Sequence, residues 1–424
     1  MGSSSSKVDT YVLAVDESKK RPSAPNILDT SPVFAERKKI ERRGSTSNLS
    51  EPSSSPVVPL KARANSTLGV TTPKLSRGTS FQASSGGKKS IAVKCSAKYP
   101  WLVKQADFST KNIEDFEFGR IIGRGLMGTV RVCKTKNDKY FVMKAISKDF
   151  IVKHRDERHI KNEKEILYSL NCSFCVKLFG TFQDRTNVYF ALEYVPGGEL
   201  FHRLGRKQQF TPPVAKFYSS EIFVALEHIQ SLDYVYRDLK PENIVLDEEG
   251  HVKLIDFGFS TRCGADSRMH TLCGTPAYLS PEQLDGKLTN GYTRVVDWWS
   301  YGVLIYELLT GKTPFCKNNR ESHYEVFLRI LKSKIYFPFQ FDSRSKELIS
   351  SLCHPKVEKR LCDATLIKNH PYFEIDWVDV AERRLIPPFV PRFKDNGDSH
   401  YFNQHPEPKE LKKAESERSE YLDF

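Results

Sequence analysis

The stretch Tyr236-Arg-Asp-Leu-Lys-Pro-Glu-Asn243, with Leu254-Ile-Asp-Phe-Gly258 following it, decides how the rest of this chain is interpreted. The first stretch places an Asp, a Lys and an Asn within six residues and contains a stiffening proline, which suits a loop that binds a hydroxyl, a phosphate and a metal ion. The second places a carboxylate after a short strand, thirteen residues beyond Asn243. Mg²⁺ prefers oxygen ligands and is often held by one or two protein groups plus substrate phosphates. Either stretch alone is compatible with a capped turn, but together they predict phosphate chemistry.

Upstream of these stretches, Gly123-Arg-Gly-Leu-Met-Gly128 forms a glycine-rich element between two segments of alternating β character. Glycines let a backbone approach phosphates closely and expose its N–H donors. Taken alone, the element could equally be a plain β-turn. A dinucleotide-binding fold would place a helix directly after the glycines, whereas here a strand follows.

A lysine on the next predicted strand adds to the phosphate pattern. Lys144 can present a compact positive charge to phosphate oxygens, although a strand lysine is usually only a solvated face. Glu163, nineteen residues later in a helical run, could hold that lysine in an ion pair.

The composition excludes several classes of protein. The chain has 424 residues, of which 39% are hydrophobic and 28% charged, so collagen, coiled coil and disulfide-dense mini-proteins are poor interpretations. No apolar run approaches the roughly 18 residues that a spanning helix needs, and no secretory h-region follows the start. The nine scattered cysteines predict free thiols in a reducing compartment. Cys172-Ser-Phe-Cys175 could be a metal or redox motif, but no second pair lies at zinc-like spacing and it precedes a predicted core strand, so we expect structural thiols there.

The positive charge is concentrated at one end. Of the net charge of +13, residues 1–100 supply most, with 17 Lys/Arg against 7 Asp/Glu, and they contain 20 Ser and 8 Pro. Such a segment cannot bury enough apolar surface to fold, so residues 1–100 are predicted to be a disordered basic extension. The remainder is nearly neutral, which argues against nucleic-acid binding. Alternating apolar residues predict strands at Glu117–Ile122, Thr129–Cys133 and Tyr140–Ile146, and near Val176–Phe182 and Val188–Glu193. Helical patterns lie near Ile160–Leu170 and at 212–232, 294–310 and 321–333. Because strands come first and helices later, we expect an α+β arrangement of two lobes with a ligand cleft between them.

The complete set of motifs resembles the protein-kinase signature. Tyrosine in place of histidine before Arg237-Asp238 is similar to the AGC group. Cys273-Gly-Thr-Pro-Ala-Tyr-Leu-Ser-Pro-Glu282, Val296-Asp-Trp-Trp-Ser-Tyr-Gly302 and the Phe-rich tail most resemble the catalytic subunits of cAMP-dependent protein kinases. The resemblance implies a small β-rich N-lobe and a larger helical C-lobe over residues 116–373, followed by an AGC tail over 374–424.

The resemblance also implies ATP and Mg²⁺ as cofactors and assigns roles to single residues. Asp238 would orient the substrate hydroxyl and accept its proton, Lys240 would stabilise the moving phosphoryl group, and Asn243 with Asp256 would hold Mg²⁺. The remaining expected nucleotide-binding residues are Ile122, Gly123, Arg124, Gly125, Leu126, Met127, Gly128, Thr129, Val130, Lys144, Glu163, Glu193 and Val195.

Substrate selection is expected to depend on three carboxylates. Glu199, Glu242 and Glu307 match family positions that clamp arginines before the target Ser/Thr, although Glu307 could simply be a solvated helix residue. The expected apolar pocket for the residue after the target consists of Leu272, Pro276 and Leu279.

The activation segment carries a predicted modification site. Thr271 matches the family's phosphorylation site, with Arg237 and His159 as expected phosphate partners. Arg268 lies three residues before it, so we hypothesise autophosphorylation.

Departures from the family bear on regulation. His270 stands where relatives have a tryptophan that docks a cAMP-binding regulatory subunit, whereas Tyr324 matches another docking position, and Val142 replaces the usual alanine above the adenine site. Met1-Gly-Ser-Ser-Ser-Ser6 matches the N-myristoylation pattern at Gly2, the alternatives being a tag remnant or chance. We therefore expect a cytoplasmic enzyme with a membrane-associated form if Gly2 is acylated.

Two classes of function follow. The first is an active kinase for Ser/Thr sites preceded by arginine, of the cAMP-dependent type, with a cGMP-dependent or other AGC type as the alternative. The second is a pseudokinase-like membrane scaffold. The presence of Lys144, Asp238, Asn243 and Asp256 together argues against the scaffold.

Overall fold

An antiparallel sheet of five strands, in the order β1-β2-β3-β5-β4, begins the fold in this computed structural model. The structure describes residues 99–406 except for 104–105, 107, 109–110, 126, 208, 265–266, 286–289, 319–320, 340 and 404. The five strands are β1 Phe116–Arg124, β2 Gly128–Thr135, β3 Tyr140–Ser147, β4 Leu178–Gln183 and β5 Asn187–Leu192.

The alternation of side chains along β3 explains how the sheet forms one wall of a cleft. Phe141 and Met143 are fully buried in one apolar cluster, whereas Val142 belongs to a second cluster on the other side. Because successive strand residues point to opposite faces, Lys144 shares the face of Val142. β3 is paired on both sides, with Lys144 opposite Val130 in β2 and Phe190 in β5.

The second part of the fold is helical. Its helices are α3 Leu200–Lys207, α4 Pro212–Ser231, α5 Pro281–Leu284, α6 Val296–Thr310, α7 His323–Lys332, α8 Ser343–Leu352, α9 Ala364–Lys368 and α10 Trp377–Ala381. Two earlier helices, α1 Lys148–His154 and α2 Glu157–Ser169, lie between β3 and β4 in the chain. Four short strands form two-stranded sheets, β6 Tyr234–Val235 with β9 Thr261–Arg262, and β7 Ile244–Leu246 with β8 Val252–Leu254.

Local chemistry accounts for several helix boundaries. α4 begins with Pro212, whose missing N–H costs nothing in a first turn. α6 ends at Thr310 and is capped by Gly311, which adopts the left-handed conformation with φ 73°. In α7, Ser322 and Glu325 form a reciprocal capping box. The central helices α4 and α6 are largely buried in the main apolar core.

The predicted strands and helices agree with these bounds to within a few residues, with one instructive shift. A strand is predicted from Val176, but β4 begins at Leu178. The Val176 N–H donates instead to the Leu254 carbonyl over 2.9 Å, and the Lys177 carbonyl accepts from the Glu193 N–H over 2.8 Å. Val176 therefore pairs with the end of β8 in the helical part, whereas Lys177 stays paired with the residue after β5.

Two sequence expectations concern regions beyond this description. The disordered extension over 1–100, including Gly2, lies almost wholly outside the described residues, as does most of the tail after Pro406. Within the described part of the chain, no helix combines the length and apolar character that crossing a membrane requires.

Candidate active site

A cavity of about 580 Å³ lies between the five-stranded sheet and the helical part. The sheet contributes Ile122, Val130, Val142 and Lys144 to its walls, and the helical part contributes polar groups. The cavity is also lined by further residues that the sequence predicts to bind nucleotide, to catalyse the reaction or to bind substrate: Glu163, Glu193, Val195, Glu199, Lys240, Glu242, Asn243 and Asp256. Residues from both ends of the motif series therefore converge on one space.

Lys144 is the centre of a charged triad at the back of this cavity. Its Nζ lies 2.7 Å from Glu163 Oε1 and 3.0 Å from Asp256 Oδ1. Burial works against the charge of Lys144, but Asp256 and Glu163 raise its pKa above the usual value. In turn, Lys144 lowers the pKa of Asp256, whereas burial raises that of Glu163. The ion pair expected between Lys144 and Glu163 is thus present.

Asp238 is held by three neighbours that leave its carboxylate little freedom. Thr275 Oγ1 donates to Asp238 Oδ1 over 2.7 Å, and Asn243 Nδ2 donates to Oδ2 over 2.8 Å. Lys240 Nζ lies 2.9 Å from Oδ2 and donates to Thr275 Oγ1 over 3.0 Å. Burial raises the pKa of Asp238, which suits a group that takes up a proton, while Lys240 opposes that rise.

Asp297, at the start of α6, fixes the backbone below this loop. Its carboxylate accepts the N–H groups of Tyr236 and Arg237, each over 2.9 Å. Arg237 adopts φ 67°, a left-handed conformation that a non-glycine residue keeps only when its surroundings enforce it. Burial raises the pKa of Asp297 to about 6. The strained backbone and the buried carboxylate together position the residue that follows, Asp238.

The residues expected to hold Mg²⁺ have the right donors. The Ile255 N–H donates to the Asn243 carbonyl over 3.0 Å, so the residue before Asp256 contacts Asn243 directly. Asn243 Nδ2 is directed at Asp238, which leaves the amide oxygen as the acceptor that can bind a cation. The Asp256 carboxylate is half-exposed, lines the cavity and has a lowered pKa. One carboxylate and one amide oxygen fit the ligand preference of Mg²⁺.

The glycine element is a tight turn between β1 and β2. The Gly125 N–H donates to the Gly128 carbonyl over 3.0 Å. A Cβ atom at Gly128 would lie 1.8 Å from the Ala145 carbonyl oxygen, so only glycine fits there. Leu126 lies outside the described residues. Six described residues of this turn are predicted from the sequence to bind nucleotide but do not line the cavity: Gly123, Arg124, Gly125, Met127, Gly128 and Thr129.

The three carboxylates predicted to bind arginine share one electrostatic environment. Burial raises the pKa of Glu199 and of Glu307 to about 7 in each case, and it raises that of Glu242 as well. Glu242 adds to the rise at Glu307, and Glu199 adds to the rise at Glu242. Glu307 does not line the cavity and accepts a hydrogen bond from the Tyr278 hydroxyl, so it is not the solvated residue of the alternative interpretation.

The activation segment lies against the same region. Leu279 and Pro276 are buried and Leu272 is partly buried. Arg237 donates to the Tyr292 hydroxyl over 3.1 Å, and that hydroxyl donates to the Thr271 carbonyl over 2.5 Å. Arg237 is thus linked to Thr271 through one tyrosine, while His159 contacts Asp156 over 2.5 Å.

Sequence reasoning missed several residues that build the site. Thr275 bridges Asp238 and Lys240 although it lies 37 residues after Asp238. The tail returns to the cavity, where Phe402 and Asn403 form part of the wall. The threonine does occur in the quoted Cys273–Glu282 motif, but nothing in a sequence indicates which carboxylate it contacts.

Comparison with known proteins identifies the fold that carries this geometry. A family model described as the protein kinase domain matches residues 116–373. The chain belongs to the protein kinase family. The bilobal α+β expectation is confirmed, and the chain is a serine/threonine protein kinase.

The most similar relatives that we compared are AGC kinases. The human cAMP-dependent protein kinase catalytic subunit PRKX is 40% identical over 70% of this kinase and 82% of the relative. The RAC family serine/threonine-protein kinase homolog of Dictyostelium discoideum is 40% identical over 70% of this kinase and 66% of the relative. The cAMP-dependent protein kinase type 3 of Saccharomyces cerevisiae is 38% identical over 74% and 78%, respectively. Membership of the family implies that this kinase uses ATP and Mg²⁺ and acts on proteins.

Proposed function

We propose that this kinase transfers the γ-phosphoryl group of ATP to Ser/Thr residues preceded by arginine, as a catalytic subunit of the cAMP-dependent type. The observation that supports this most is the fixed Asp238 carboxylate. It is buried and does not itself line the cavity, but it contacts Lys240 and Asn243, which line the same cavity as the Lys144–Asp256 pair. A scaffold would gain nothing from holding these groups together.

The nucleotide end of the cavity provides backbone groups for the adenine base, at a hinge that contains Glu193 and Val195, and a cation for the phosphates, Lys144. The Glu193 N–H is already used by the Lys177 carbonyl, so the Glu193 carbonyl is the group left to accept from an adenine amino group. Val195 supplies the next backbone groups, and Ile122, Val130 and Val142 cover the base with apolar side chains. Lys144, kept charged by Glu163 and Asp256, binds phosphate oxygens.

The catalytic end works by positioning and by electrostatics. Thr275 and Asn243 orient Asp238 so that its carboxylate receives the hydroxyl proton of the substrate. Lys240, which Asp238 and Thr275 keep in place, offsets negative charge on the transferred group. Asn243 and Asp256 would hold Mg²⁺, which when bound neutralises charge on the outer phosphates.

Substrate selection by arginine rests on Glu199, Glu242 and Glu307. Charge-assisted hydrogen bonds contribute about 1.5–3 kcal/mol each, so two arginines would dominate selection. The apolar contact for the residue after the target would come from Leu272, which is partly buried, with the buried Pro276 and Leu279.

Activity and regulation require separate tests. Phosphate transfer to an Arg-Arg-x-Ser peptide should be lost in Asp256→Ala and Asp238→Asn, and should fall when both arginines are replaced by citrulline, a neutral isostere. Equal transfer to the citrulline peptide would refute the arginine preference while leaving the kinase activity standing.

The regulator can be tested by capture on a cAMP-binding regulatory subunit. Binding that cAMP releases supports the cAMP-dependent type. Because the RAC-family homolog is equally similar at 40% identity, failure to bind would instead favour another AGC type. Membrane attachment through Gly2 is tested by myristate incorporation against Gly2→Ala.

A further inference from the structure

Two cysteines lie in the turn that connects α2 to the residues before β4. The Cys175 N–H donates to the Cys172 carbonyl over 3.2 Å, which closes a four-residue β-turn. A β-turn holds its first and last Cα atoms within about 7 Å, and disulfides bridge Cα atoms about 4.4–6.8 Å apart. The backbone therefore already holds these cysteines at a separation compatible with a disulfide.

The two thiols differ in a way that assigns each a chemical role. They share a hydrogen bond, which lowers the pKa of Cys172 and raises that of Cys175. Cys172 is half-buried, whereas Cys175 is 1% exposed. The thiolate is the reactive form of cysteine, so Cys172 is the attacking sulfur and Cys175 the resolving one.

Lys253 on β8 connects this turn to the nucleotide site. Its Nζ donates to the carbonyls of Ser173 over 3.0 Å and Cys175 over 3.4 Å, and lies 2.9 Å from Glu193 Oε2. The lysine side chain is 3% exposed, so these contacts are made in a water-poor environment. Lys253 therefore contacts both the cysteine turn and Glu193.

We propose that Cys172 and Cys175 form a redox-active dithiol that a hydroperoxide converts to a disulfide, and that this disulfide weakens nucleotide binding in the interlobe cavity. The second half rests on the proposed function of that cavity. With hydrogen peroxide, the Cys172 thiolate attacks one oxygen, the O–O bond breaks, and the departing hydroxide takes a proton to leave as water. Cys175 then attacks the Cys172 sulfenic acid, the S–O bond breaks, and its thiol proton leaves in a second water. The two sulfurs are oxidised and the peroxide is reduced.

The geometry explains why the disulfide would disturb the hinge. Both cysteines are free thiols, and an S–S bond of about 2.05 Å is shorter than any contact between two separate thiols, so the two sulfurs must move closer together. Cys175 is packed in the main core, so the exposed half of the turn absorbs most of this movement. The Ser173 carbonyl lies in that half and is one of the acceptors that position Lys253.

The disulfide can be tested on the full chain by mass spectrometry. Both cysteines fall on one tryptic peptide, residues 165–177, which contains no other cysteine. After peroxide, this peptide should lose two hydrogens and resist alkylation, and dithiothreitol should reverse both changes. Cys175→Ser should trap a sulfenic acid at Cys172 that dimedone labels, whereas Cys172→Ser should give no label at Cys175.

The matched control is Cys362→Ser, which removes an exposed cysteine elsewhere and should leave the disulfide unaffected. If the 165–177 peptide stays fully alkylated under peroxide that already oxidises Cys362, the dithiol proposal is wrong. Because Cys175 is buried, its variant could unfold, but Cys172→Ser changes a half-buried residue and keeps the test decisive.

Nucleotide binding is the second readout. The Kd for a non-hydrolysable ATP analogue should rise about tenfold on oxidation of the wild type, as expected for the loss of about one hydrogen bond, and should not change in oxidised Cys172→Ser. A disulfide with unchanged Kd refutes the coupling to the hinge. If the reduced protein binds no nucleotide, the proposed function of the cavity fails while the mass result stands.

Discussion

Recognition of arginine by Glu199 should depend on pH in a range where an ordinary glutamate would show little change in ionisation. Burial raises the pKa of this carboxyl, and also that of Glu307, to about 7. The carboxylate is the form that attracts a guanidinium, so affinity for an arginine substrate should increase as the pH rises through about 7. An ordinary Glu, with a pKa of about 4.3, would be fully ionised throughout this range.

The magnitude follows from the titration. A group of pKa about 7 is roughly 91% ionised at pH 8 and roughly 9% at pH 6, about a tenfold change worth about 1.4 kcal/mol. If both carboxylates contact arginines independently, the combined change is about 100-fold. Glu242 raises the pKa of Glu307, and Glu199 raises the pKa of Glu242, so the three carboxyl groups titrate together. The measured pH dependence should therefore be broader than that of a single group.

The assay compares two peptides at each pH. kcat/KM is measured for an Arg-Arg-x-Ser peptide and for its citrulline counterpart, and their ratio cancels the titration of Asp238 and of ATP. The ratio should rise about 10- to 100-fold from pH 6 to pH 8. Glu199→Gln should lower the ratio at pH 8 and flatten its pH dependence. A ratio that is high and equal at both pH values would show that these carboxylates are ionised throughout, and the reasoning from burial would fail.

Three further results are expected. Thr275→Val should lower kcat by about 10- to 100-fold with little change in peptide KM, because Asp238 loses a charge-assisted hydrogen bond of about 1.5–3 kcal/mol. Thr275→Ser keeps the hydroxyl and should keep most of the activity. An equal loss in both variants would mean that the hydroxyl does not position Asp238. Gly128→Ala should lower the free energy of unfolding by more than about 2 kcal/mol, because the added Cβ would overlap a carbonyl oxygen. Gly125→Ala has open space around its Cβ and should melt within about 1 °C of the wild type. Equal melting temperatures for the two variants would contradict this reasoning. Autophosphorylation mapped by mass spectrometry should include the N-terminal serines that follow an arginine by three residues, which are Ser45, Ser66 and Ser80. These phosphates should be absent from Asp256→Ala. Modification only at serines without such an arginine would count against the specificity.

The order of the motifs was sufficient to predict the fold and the cleft. The alternation in Tyr140–Ile146 and the apolar character of residues 212–232 are local patterns with periods of two and about 3.6 residues, so they can be read without knowing what they pack against. The shift at Val176 shows where this fails. The residue has a strand-forming side chain, but its N–H bonds to Leu254, which is 78 residues away.

The sequence by itself determined which groups are available to this kinase: Lys144, Glu163, Asp238, Asn243 and Asp256, in the order that predicts phosphoryl transfer. Only the tertiary structure decided that Thr275 holds Asp238, that burial raises the pKa of Glu199 and Glu307, and that Lys253 contacts both the cysteine turn and Glu193. The reason is physical. Residue type and local spacing are properties of short segments, whereas burial and hydrogen-bond partners depend on which distant segments pack together.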